Sequence, residues 1–273
     1  LIPGWEQTQE VMYFTSTADF LVWTALASIL FGISLLCAIY GLLSIHKLKQ
    51  WKYLNSAFLP LLILSLLFLM PPILINQFPS VFPRVNLPSL VLRTNIVTLF
   101  TGLCMVPATT SLVLISRSIE ALSPRKPNFP KEYLKLKDQL EVLLGIIGLM
   151  IGLGTLTTGG LQNALATLFK EIGSGLDGAF PPILTVLNGS YFTTILLVMY
   201  MSLERTLTEV AKSFVEIHIT LPELNSNSWM TEYERHKQVE EWLQLSHSWV
   251  NLRSGLAIFT PLIGGLISYV MPK

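Results

Sequence analysis

The chain has 273 residues, of which 51% are hydrophobic and 13% charged, with a mean hydropathy of +0.57 and a net charge of +1. A soluble domain carries about 25% charged residues, so this composition excludes a soluble globular fold. The total charge says nothing about partners, and no stretch resembles a nucleic-acid patch, so no nucleic-acid partner is expected.

Residues 1–17 are too polar for a signal core. With Ile2, Trp5, Val11, Met12, Tyr13 and Phe14 they are expected at the outer interface, where Trp and Tyr concentrate. The first residue is Leu1, so a preceding piece is expected to have been removed or to be absent from the sequence. Six windows then follow without Asp, Glu, Lys, Arg or His: Phe20–Ile45, Tyr53–Pro83, Thr94–Ser116, Val142–Phe169, Gly178–Leu203 and Ser254–Pro272. Each approaches or exceeds the roughly 20 apolar residues a bilayer crossing needs. Backbone polar groups in lipid must pair internally, which makes these windows helices. The expected fold is all-α: a polytopic integral membrane protein with about six transmembrane helices.

Charge sets the orientation. Fourteen of the 18 basic residues fall in alternate loops: Lys47, Lys49 and Lys52; then Arg117, Arg125, Lys126, Lys131, Lys135 and Lys137; then Arg205, Lys212, Arg235, Lys237 and Arg253. The positive-inside rule puts these in the cytoplasm and both termini outside. The organisation that follows is an outer segment 1–19, a three-helix membrane part 20–116, a cytoplasmic linker 117–137, a glycine-rich helix pair 138–203, a cytoplasmic helical segment 204–250 and a C-terminal transmembrane helix 251–273.

Along the chain, the first span ends on the basic, Trp-bearing "HKLKQWK". The second carries Pro60 and "MPP" at 70–72, and the third Pro107 followed by Thr109 and Thr110, whose hydroxyls suit a proline kink. Pro124, Pro127 and Pro130 break the linker, and a helix is expected from about Lys131 into the fourth span. Val210, Phe214 and Ile217 recur at helical spacing, so the fifth span is expected to continue to Thr220. In a second cytoplasmic helix, from about Met230 to Val250, Trp242 and Trp249 point to a partner helix or the lipid interface, and packing against the extension of the fifth span is the favoured expectation.

The fourth span contains "LLGIIGLMIGLGTLTTGGL", with six glycines and no charge. Gly148 and Gly152 form GxxxG, and Gly145 adds a turn on roughly the same side. Small residues let helices approach in lipid, where little hydrophobic force acts between them; Gly145, Gly148 and Gly152 are therefore the expected packing face. Gly159 and Gly160 are expected to end the helix. Thr155, Thr157 and Thr158, with Thr185, Thr193 and Thr194 of the fifth span, either bond their own backbone or line a polar seam between the two spans. Cys37 and Cys104 lie inside spans and lack metal or disulfide spacing. His218, His236 and His247 are scattered, so no enzyme active site, cofactor or metal is expected.

The order of these parts resembles the MotA/TolQ/ExbB proton-channel family. A basic cytoplasmic segment precedes a Gly-rich span, "GLDGAF" at 175–180 looks like the loop-to-helix signature (Gly175, Asp177, Ala179, Phe180), and "SLERTLTEV" from Ser202 looks like the charged exit of the last family helix. The resemblance covers about 131–214. It implies a homo-oligomer, a pentamer by preference, in the bacterial inner membrane. It also implies a central pore lined by the fourth and fifth spans that holds a single-span partner carrying an aspartate, with ion flow driving force on that partner. Leu149 stands where the family places a threonine, and Pro181, Pro182 and Ile183 replace its polar pair. Two further readings stay open: a structural or assembly subunit without conduction, and a small transporter.

Overall fold

The computed structural model describes residues 17–48, 88–172, 183–219, 229–243 and 252–270. Among them every regular element is helical: α1 (Ala18–Leu48), α2 (Pro88–Glu120), α3 (Phe129–Ile172), α4 (Ile183–His218), α5 (Trp229–Trp242) and α6 (Leu252–Val270). Four of the helices, α1 to α4, are long and apolar enough to cross a membrane. The window Tyr53–Pro83 lies outside the described residues.

α1 starts where Thr17 caps it, its hydroxyl accepting the Phe20 N–H at 3.4 Å. Its buried positions Leu30, Ser34, Cys37, Gly41 and Ser44 recur every three or four residues. That narrow strip of mostly small residues faces α2. A Cβ on Gly41 would lie 2.6 Å from the Pro107 carbonyl carbon. Farther out, Phe31 stacks on Phe100 with ring centroids 3.8 Å apart. Ile45 and Leu48 pack on Val113 and Leu114. The register rises together along both helices, so α1 and α2 run parallel.

The other side of α1 shows Leu35, Leu36, Ile39, Leu42 and Leu43 to the surroundings, and α2 shows Ile96, Leu99, Leu103 and Val106. Apolar side chains of this size on a surface need a non-aqueous neighbour. Both helices are long and apolar enough to cross a membrane, and a lipid neighbour suits this face.

α3 is the hub, packing on α1, α2, α4 and α6. It begins at Phe129, two residues before the expected Lys131. Pro130 sits in the first turn, where a missing N–H costs nothing. At 1.5 Å per residue its 44 residues span about 66 Å, roughly twice a bilayer core. The first three turns pack beside the end of α4. There Phe129 stacks on Phe214 at 4.6 Å, and the Tyr133 hydroxyl donates to the Leu207 carbonyl at 3.4 Å. Burial, with Glu204 and Glu141 nearby, pushes the Tyr133 phenol above its ordinary pKa. Leu243 closes this stalk core. Trp242, in contrast, is 54% exposed, contrary to the expected packing, because Leu243 and Val239 make the anchor instead. Trp249 lies outside the described residues.

α3 does not stop at Gly159–Gly160. It runs on to Ile172 and carries Ala164, Leu165, Leu168 and Phe169 onto Phe20 and Trp23 of α1. The Thr167 hydroxyl donates to the Asp19 carboxylate at 2.7 Å, tying the start of α1 to the far end of α3. Register falls on one helix as it rises on the other, so α1 and α3 are antiparallel.

Candidate functional site

The site that the sequence points to is the groove between α3 and α4. In the structure this groove is occupied by α6 of the same chain, which packs on both helices far more than they pack on each other.

Glycines make the contact possible. A Cβ on Gly148 would overlap the Ala257 carbonyl oxygen and lie 2.8 Å from its carbon. One turn on, a Cβ on Gly152 would meet the Thr260 methyl and lie 3.0 Å from the Thr260 carbonyl oxygen. Farther out, a Cβ on Gly159 would overlap the Ser268 side chain. The order 148–257, 152–260 and 159–268 makes α3 and α6 parallel. From the other helix, a Cβ on Gly189 would lie 2.5 Å from the Pro261 carbonyl oxygen. α6 adds its own pair: a Cβ on Gly264 would lie 2.6 Å from the Gly152 carbonyl oxygen, and one on Gly265 would lie 2.9 Å from that of Thr185. Backbones touch backbones here, with Cα–H groups against carbonyls.

Of the three expected packing glycines, Gly148 and Gly152 lie in this contact. Gly145 has nothing within 4 Å of the place a Cβ would take. Gly145 lies within about 20° of Gly152 around the axis but two turns earlier, before the first contact with α6 at Gly148. Gly159 and Gly160 pack rather than terminate, the latter against Leu26 and Trp23 of α1.

The threonines divide in the same way. Thr155 is fully buried on the groove face, and its hydroxyl donates to the Ile151 carbonyl at 3.0 Å. Thr185, also buried, donates to the Gln162 side-chain oxygen and so links α4 to α3. Thr193 is an acceptor: the Leu262 backbone N–H donates to its hydroxyl oxygen at 3.1 Å. Thr157 sits nine positions from Gly148, on the opposite side of α3, and donates to Leu153 at 2.7 Å. Thr158 and Thr194 face outward, each bonded to its own helix at 2.9 Å. Gly175, Asp177, Ala179 and Phe180 lie outside the described residues.

Among the described residues from Val142 to Phe169, Ile183 to Leu203 and Ala257 to Val270 there is no Asp, Glu, His, Lys or Arg. No group of three His, Cys, Asp or Glu that could hold a metal occurs among them either. Toward the N-terminal end of α3, Lys137 is 5% exposed and lies one turn from Tyr133 and one turn from Glu141.

Sequence reasoning missed α6 as a groove component. The signal was present in "PLIGG" (261–265): a proline and two adjacent glycines in an otherwise apolar helix. Against protein-family models, curated proteins and solved structures alike, the chain finds no match.

Proposed function

We propose that this chain is a non-conducting structural subunit of a membrane assembly, crossing the bilayer six times and presenting its stalk to the cytoplasm. One observation carries the reading. The α3/α4 groove, which in the resembling channel family would face a shared pore and a partner helix, is filled here by the chain's own α6. Glycine–backbone contacts on both walls leave no room for a second helix or a file of water. The three groove threonines spend their hydrogen bonds on Ile151, Gln162 and Leu262.

The direction of the helices supports the crossing count. α1 and α2 run parallel, so residues 49–87 connect opposite ends of the pair, and a return crossing within Tyr53–Pro83 fits that need. α3 and α6 run one way and α1, α2 and α4 the other, in agreement with the alternation of the basic loops.

The channel-family reading keeps one observation on its side. α3 and α4 both extend well past a bilayer's thickness into a packed stalk, as expected of that family's long cytoplasmic helices. Purified chain in proteoliposomes separates the two. The structural reading expects an imposed pH gradient to decay at the rate of empty vesicles, with one or a few copies per particle by native mass spectrometry. A ring of about five copies, or a proton leak abolished by Thr155→Val or Thr185→Val, would overturn it.

A further inference from the structure

α6 carries Pro261 in its middle, and two consequences of that proline meet partners on neighbouring helices. Proline has no N–H and its ring crowds the carbonyl four residues earlier; that carbonyl belongs to Ala257 and lies against Gly148. The next N–H, that of Leu262, donates to the Thr193 hydroxyl oxygen on α4 at 3.1 Å. Thr193 is 7% exposed, so no water competes for this bond. Other threonines here, such as Thr155, Thr157 and Thr194, donate to carbonyls of their own helices, whereas Thr193 accepts from a different helix.

We infer that Thr193 and Pro261 together form a latch that seats α6 in the groove. This goes beyond the structural-subunit reading and does not depend on it. The glycine contacts are close but undirected: any sliding of α6 exchanges one backbone contact for another. The Leu262–Thr193 bond is directed, so it fixes both the height and the rotation of α6. In a proline-free helix the Leu262 N–H would be committed to the Ile258 carbonyl, so the latch exists because the proline disturbs the helix at that point. Thr193 is a positioning residue that acts through α6.

The expected effect of breaking the latch is about threefold in the ratio of withdrawn to seated α6, the size of an ordinary interhelical hydrogen bond in a membrane. Ser268, buried against Gly159, provides the reporter. Ser268→Cys is placed in a background with Cys37→Ser and Cys104→Ser, and its labelling by a small membrane-permeant maleimide is timed in liposomes. Thr193→Val, which keeps shape and loses the acceptor, should raise the rate about threefold. Thr193→Ser, which keeps the acceptor, should leave it unchanged. In a Pro261→Ala background, where the helix can use its own carbonyl, Thr193→Val should add nothing. Equal rates for Thr193→Val and the parent would overturn the latch. So would an effect of Thr193→Val that is the same with and without Pro261.

Discussion

Adding one methyl group at four glycines of α3 should split them by sign. At Gly148 a new Cβ would lie 2.8 Å from the Ala257 carbonyl carbon, against an ordinary carbon–carbon contact of about 3.5–4.0 Å. Both obstacles are backbone, so neither can rotate aside, and α3 and α6 must part by roughly 0.7–1.2 Å. A gap of that size forfeits a quarter to a half of each neighbouring contact. Gly152 and Gly264 lie on the same seam and lose contact together. Gly148→Ala and Gly152→Ala should each cost about 1–3 kcal/mol, the usual cost of overpacking. Gly145 and Gly154 have nothing within 4 Å of the added atom. There the only effect is the lower backbone entropy of alanine, so Gly145→Ala and Gly154→Ala should be neutral or stabilise by about 0.5–1 kcal/mol. Reversible unfolding in mixed micelles, titrated with a denaturing detergent, measures all four on one scale. If Gly145→Ala is as costly as Gly148→Ala, the assignment of the packing face is wrong.

Two further outcomes follow from the same packing. Thr185→Val leaves Gln162 without its partner and should cost about 1 kcal/mol in that assay, while Thr158→Val and Thr194→Val, exposed and bonded only to their own helices, should stay within about 0.5 kcal/mol; equal losses at all three would remove the distinction between groove and outer threonines. With Cys37 and Cys104 replaced, Lys170→Cys should react with an impermeant maleimide added outside intact cells, whereas Lys126→Cys should react only after permeabilisation, and equal labelling of both would overturn the assigned orientation.

Four of the expected spans were legible, because a run of about 20 residues without charge marks a helix long and apolar enough to cross a membrane. Their ends were not. Gly159–Gly160 reads as a stop because glycine is costly inside a helix and common just past its end. That preference is measured where water surrounds the chain. Here Gly159 admits Ser268 and Gly160 admits Leu26 and Trp23. Those close approaches offset the lost propensity, so α3 continues for another three turns. Spacing also misled at Gly145: it shares the face of Gly152, but it lies two turns earlier, before the first close contact with α6 at Gly148. For the threonines, sequence supplies a hydroxyl but not its direction: Thr193 and Thr194 are neighbours, one joined to α6 and the other to its own helix.

What sequence periodicity could not supply was the identity of the helix meeting each small face. A GxxxG pair such as Gly148 and Gly152 presents one flat face and serves one neighbour. Adjacent glycines behave differently, because successive residues are about 100° apart around the axis. Gly264 accordingly meets α3 at the Gly152 carbonyl, and Gly265 meets α4 at the Thr185 carbonyl. Two glycines side by side thus let a single helix touch two backbones at one level, which is the geometry a wedge requires. The same helix has a proline three residues before that pair, so the Leu262 bond to Thr193 lies within one turn of these contacts. Close approach and a directed bond are separate demands, and α6 meets both within the five residues 261–265.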